Sequence, residues 1–77
     1  MSGKRFTLVG QDGNAFNLMG YTAECLREAG LKDQIEEMHA RATSGNYSNL
    51  ICVCNEYVEK ANEALGLTDD DEEDDYE

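Results

Sequence analysis

Apolar positions along this chain fall into two rhythms. The first is a short alternation at the N-terminal end: Phe6-Thr7-Leu8-Val9 are all good strand formers, and they predict a β-strand over residues 5–9. Gly10 and Gly13 then bracket Gln11-Asp12, a turn signal, because Asp-Gly accommodates positive φ without steric cost. Asn14 follows as a natural N-cap, and from there the spacing changes to threes and fours. Phe16, Met19, Thr22, Cys25 or Leu26, and Ala29 predict a first helix from Ala15 to Glu28, with one apolar face and Gly30 as its C-terminal stop. Gly20 interrupts that helix, at a cost near ~1 kcal/mol relative to Ala.

Leu31, Ile35, Met38 and Ala42 predict a second helix over residues 32–42. Glu36, Glu37 and Arg41 face water there, the last two at a favourable four-residue separation. Thr43-Ser44-Gly45-Asn46 is a break. A third and longest helix runs from Tyr47, capped by Asn46 or Ser48, to Leu65. It carries Leu50, Cys54, Tyr57 or Val58, Ala61 and Leu65 on one face, with Ile51 and Val53 broadening it; Gly66 ends it. Residues 50–53 also suit a strand, and that alternative stays open at this level. The fold class expected is therefore mostly α with one short N-terminal strand, in the order β-α-α-α.

A lone strand leaves its backbone N–H and C=O groups without partners. The expected remedy is a homodimer in which two copies pair their strands antiparallel across a two-fold axis, with Phe6 and Leu8 continuing the core across the interface. A second strand at residues 50–53, or a folded-back N-terminus, is the alternative. Lys4-Arg5 beside the strand reads as solubility and edge protection.

Charge changes the picture at the C-terminal end. The formal net charge is −11 over 77 residues, and residues 69–77 hold eight acids and no base. Residues 1–66 then read as one folded domain and residues 67–77 as a disordered acidic tail. Such a balance argues against direct binding to nucleic-acid phosphates or to anionic membranes. Asp69, Asp70, Asp71, Glu72, Glu73, Asp74 and Asp75 are candidates for contact with a basic partner, although a solvated tail is the commoner case. No apolar run reaches the roughly 20 residues a membrane span needs. Three cysteines, Cys25, Cys52 and Cys54, with no signal peptide before them, suggest a reducing interior, so the expected setting is cytoplasmic.

The chemistry-bearing residues do not assemble into a reaction centre. Cys52 and Cys54 point about 200° apart on a helix, and a tetrahedral zinc site would have to gather all three cysteines with His39, the one histidine. Nothing places an orienting group beside a Cys–His pair. Neither enzyme chemistry nor a metal or other cofactor is expected. Residues 10–14 have the layout of an anion nest at a helix N-terminus, but they lack the P-loop lysine and the third glycine of a dinucleotide fingerprint, and Asp12 opposes phosphate.

Four segments carry a resemblance: Val9-Gly10-Gln11-Asp12-Gly13-Asn14-Ala15-Phe16, Leu26-Arg27-Glu28-Ala29-Gly30, Ala42-Thr43-Ser44-Gly45-Asn46-Tyr47 and Val53-Cys54-Asn55-Glu56-Tyr57-Val58. Together they resemble a family of short, mostly uncharacterised phage, prophage and bacterial proteins, over the body and not the tail. Asn46 stands where that family commonly has an acid. The resemblance carries no activity and no functional residues. It implies a phage-type accessory role, with a host-directed, anti-defence or DNA-mimic form as its sharpest version. The functional expectation is a non-enzymatic acidic protein that binds a protein partner through Phe6, Leu8, Gln11, Asp12, Asn14 and the tail acids. The alternative is a small-ligand or nucleotide binder that uses residues 10–16 at an interface between copies.

Overall fold

The computed structural model describes residues 5–67, which form three helices and no β-strand among the described residues. Helix α1 is Ala15–Glu28, a 3-10 turn follows at Lys32–Gln34, α2 is Ile35–Ala42 and α3 is Tyr47–Leu65. The starts of α1 and α3 sit together, joined by a bond from Tyr47 to the loop before α1, and α2 returns antiparallel to both. Residues 50–53 are helical, so the strand alternative for them falls away.

Each helix forms for local reasons. The Asn14 side chain accepts from the N–H groups of Phe16 (2.9 Å) and Asn17 (3.3 Å), which otherwise have no partner in the first turn. Asn46 does the same for α3 through Asn49 N–H at 3.0 Å. The far ends close in Schellman fashion. Gly30, at φ 76°, lets Leu31 N–H reach Leu26 C=O (2.7 Å) while its own N–H meets Arg27 C=O (3.1 Å). Gly66, at φ 73°, repeats this with Leu67 N–H on Asn62 C=O at 2.8 Å. The second helix starts later than its apolar spacing predicts. Residues 32–34 wind as a 3-10 turn with no side-chain cap, and the regular helix begins at Ile35.

The core is the meeting of three stripes: Leu18, Met19, Ala23 and Leu26 from α1, Met38 and Ala42 from α2, and Leu50, Val53, Cys54 and Tyr57 from α3. A second cluster of Cys25, Val58 and Ala61 continues it towards the other end of the α1–α3 pair. Tyr57, Leu26 and Met38 are completely buried. Gly20 faces open space, so it serves no close approach of another backbone.

The predicted strand over residues 5–9 is corrected. Residues 5–7 hold no regular secondary structure, Leu8 bends and Val9 enters a turn, and among the described residues no second backbone pairs with them. The Asn62 side chain of α3 takes the place of a neighbouring strand. Its Oδ1 accepts from Phe6 N–H at 2.6 Å and its Nδ2 donates to Phe6 C=O at 2.9 Å. Thr7 N–H is taken by the hydroxyl of Tyr21 on α1 at 3.1 Å, and Val9 N–H by Thr7 Oγ1 at 3.1 Å. Phe6 and Leu8 pack against their own chain's core clusters. Phe6 N–H and C=O, Thr7 N–H, Leu8 C=O and Val9 N–H, backbone groups whose lack of partners motivated a strand-paired dimer, thus find partners within one chain. The predicted tail and the N-terminal residues 1–4 lie outside the described residues, apart from Leu67, which closes α3.

Candidate functional site

The loop between the N-terminal segment and α1 is tightly tied. Gln11 N–H bonds back to Leu8 C=O at 3.1 Å, Asp12 Oδ1 accepts from Asn14 N–H at 3.2 Å, and Asn17 Nδ2 donates to Asp12 C=O at 3.0 Å. Tyr47, the first residue of α3, donates its hydroxyl to Gly13 C=O. Beside the exposed polar groups of this braced loop, several large apolar side chains are also exposed. Val9 and Phe16 are each 83% exposed, Tyr47 is 48% exposed, and Ile51, one turn along α3 from Tyr47, is also exposed. Phe16 and Ile51 were expected on the buried faces of their helices. Both instead point outward at the end where α1 and α3 begin. Leu65, also assigned to the buried face of α3, is exposed at the opposite end.

The predicted site residues divide accordingly. Asp12 and Asn14 are exposed, and Gln11 is half-buried, all three in the braced loop. Phe6 and Leu8 are half-buried against the core rather than offered to a partner strand. The seven tail acids, Asp69 to Asp75, lie outside the described residues. The N–H groups of Phe16 and Asn17, which an anion at this helix end would need, are already held by Asn14.

A second polar constellation joins α2 to α3. Tyr57, wholly buried as a residue, donates its hydroxyl to Glu37 Oε2 at 2.5 Å and accepts from Arg41 Nη1 at 3.2 Å. Arg41 grips Glu56 with both terminal nitrogens, at 2.9 and 3.1 Å. The partner of Arg41 is thus Glu56 across the helix pair, where the spacing along α2 had suggested Glu37. Arg41 holds the Glu56 carboxyl below its ordinary range, and burial, then the bond to Glu37, pushes the Tyr57 phenol up. This arrangement fastens two helices. It presents no nucleophile and base facing a cavity.

Beside the 3-10 turn a shallow depression is lined by Arg27, Lys32, Asp33, Ile35, Glu36 and His39. Its charges are mixed, and Arg27 already pairs with Glu24 at 2.7 Å, so no one ligand charge is favoured. Among the described residues no group of three His, Cys, Asp or Glu side chains is placed to hold a metal ion, and no helix is long and apolar enough to cross a membrane.

The three cysteines differ in environment. Cys25 and Cys54 are buried, and burial raises both thiols above their ordinary range; Cys52 is exposed. A thiol reagent such as DTNB is expected to modify one cysteine per folded chain at mildly alkaline pH, with Cys52→Ser abolishing the signal, and all three in denaturant. Rapid modification of two or three thiols in the folded protein would contradict the buried placements.

Sequence reasoning missed the roles of three residues that organise this structure, Asn62, Tyr21 and Tyr47, and placed Phe16 on a buried face. Asn62 did leave a signal, as an amide four residues beyond Val58 in an otherwise apolar stripe. A buried amide needs partners. Comparison of the chain with family models, curated proteins and solved structures gives no match in any of the three.

Proposed function

We propose that this chain is a non-catalytic protein-binding domain that engages its partner through the apolar end of the α1–α3 pair. The observation that carries this reading is the exposure of Phe16 and Val9 beside a loop that hydrogen bonds hold in place. Large apolar side chains grouped on a surface and rimmed by polar groups mark interaction sites, and aromatic anchors supply most of the energy in such contacts. A loop ordered in advance loses little entropy when it is covered. The acidic balance of the whole chain favours a basic partner and gives association a dependence on salt. Under the resemblance to phage and prophage proteins, that partner is a host protein.

The test is affinity capture from bacterial lysate by the full chain and by a Phe16→Ser/Ile51→Ser variant, with quantitative mass spectrometry. Both side chains are exposed, so the variant keeps its fold and its melting temperature shifts by no more than about 1 kcal/mol of stability warrants. A basic polypeptide retained by the native chain and depleted about tenfold or more by the variant supports the proposal. Equal retention by both chains would count against this surface.

A further inference from the structure

Residues 5–8 lie in a groove between α1 and α3, and the way they are held is general rather than particular to them. Asn62 offers an acceptor and a donor side by side to the N–H and C=O of one residue, the pair of bonds a neighbouring β-strand would make to it. Contacts of this kind read an extended main chain whatever its side chains are. The Tyr21 hydroxyl takes the next N–H. Side-chain preference enters at three points. Glu59 pairs with Arg5 at 2.9 Å, while Phe6 and Leu8 pack on the cluster of Cys25, Val58 and Ala61. Thr7 turns its hydroxyl back to Val9 N–H. The groove therefore matches a sequence of basic, aromatic, any, aliphatic residues.

The occupant is also peripheral. Residues 5–8 are each only half-buried, while the groove side chains Asn62, Val58 and Ala61 are fully buried. Segments of that kind open at lower free energy than the elements beneath them.

We propose that the α1–α3 groove is a receptor for a basic–aromatic–x–aliphatic segment of another protein, a place that the chain's own residues 5–8 occupy as an autoinhibitory strap. A covalently attached strap acts at millimolar effective concentration, so an external segment binds the intact chain weakly and a chain with a weakened strap well. The site is separate from the apolar end carrying Phe16 and Ile51, and either can fail without the other.

The probe is a fluorescent acetylated peptide with the sequence of residues 5–9, titrated by polarisation onto the full chain and onto a Phe6→Ser/Leu8→Ser chain. Saturable binding to the double variant, about tenfold or more tighter than to the native chain, is the expected result. In the Glu59→Lys background binding should weaken about threefold and recover with a peptide carrying Arg5→Glu. No saturable binding to a folded double variant, or equal binding to both chains, would overturn the proposal. Should the double variant not fold, the native chain decides. Excess peptide is then expected to expose the Phe6 and Thr7 amides to hydrogen exchange, and unchanged protection overturns it.

Discussion

Replacing Tyr57 by alanine is expected to cost about 3–5 kcal/mol, enough to leave a domain of this size largely unfolded at room temperature or to lower its melting temperature by some tens of degrees. Tyr57 is the largest side chain with no solvent exposure, and it stands where α2 and α3 meet. Truncation removes the ring from the core and leaves a void that neighbours such as Met38 and Cys54 fill only in part. Tyr57→Phe separates the ring from its hydroxyl. The ring stays, the bonds to Glu37 and Arg41 are lost, and both of those side chains are exposed enough to turn to water, so the cost is about 1 kcal/mol or less. Urea or thermal denaturation followed by circular dichroism measures both. Similar losses for the two variants would mean that the hydroxyl, not the packed ring, holds the helices together. There is a pH signature as well. The folded-state pKa of Tyr57 lies above its ordinary 10.0, so its stabilising contribution is complete below pH 10 and is lost as pH rises through the raised folded value. Tyr57→Phe should flatten part of that alkaline decline, leaving the parts due to the Tyr21 phenol and the Cys25 and Cys54 thiols, all of which burial also raises.

The second large effect is expected at Asn62. Asn62→Leu keeps the bulk but strips Phe6 N–H and C=O of their partners in a partly buried groove. Unsatisfied groups of this kind cost about 1–3 kcal/mol each, against which the added apolar surface returns a fraction; a loss of about 2–3 kcal/mol and of roughly 10–20 °C in melting temperature follows. Asn62→Asp tests the geometry more finely. The carboxylate still accepts from Phe6 N–H but cannot donate to Phe6 C=O, and its charge is unpaired in a buried position. It is expected to be no better than leucine, and to recover as pH falls and the acid regains a donor proton. A change below about 0.5 kcal/mol in both variants would show that the segment's backbone is not anchored there.

What could be read from the sequence was what is encoded locally. The Asn14 and Asn46 caps, the Gly30 and Gly66 stops and the three-and-four spacing between them place the α-helices, because each signal acts within a turn or two of its own position. Phe16 escaped that reading. It shares the spacing of the α1 stripe, but at the first turn the neighbouring helices no longer cover it. Residues 5–9 are of types that favour a strand, but none forms there, Val9 lies in a turn, and what holds the segment was not legible. A strand implies another strand, whereas here two helix side chains supply the bonds, one of them 56 positions away. Of the predicted interaction residues, Phe6 and Leu8 were recognised as apolar groups needing cover, and the cover comes from their own chain.

Hydrogen exchange at the Phe6 and Thr7 amides, followed by NMR across about a hundredfold range of protein concentration, bears most directly on this account. Bonds to Asn62 and Tyr21 of the same chain predict protection that is present at the lowest concentration, does not change with dilution, and is lost at Phe6 in Asn62→Leu. Protection that grows with concentration, or that survives the loss of the Asn62 amide, would mean that a second backbone holds this segment.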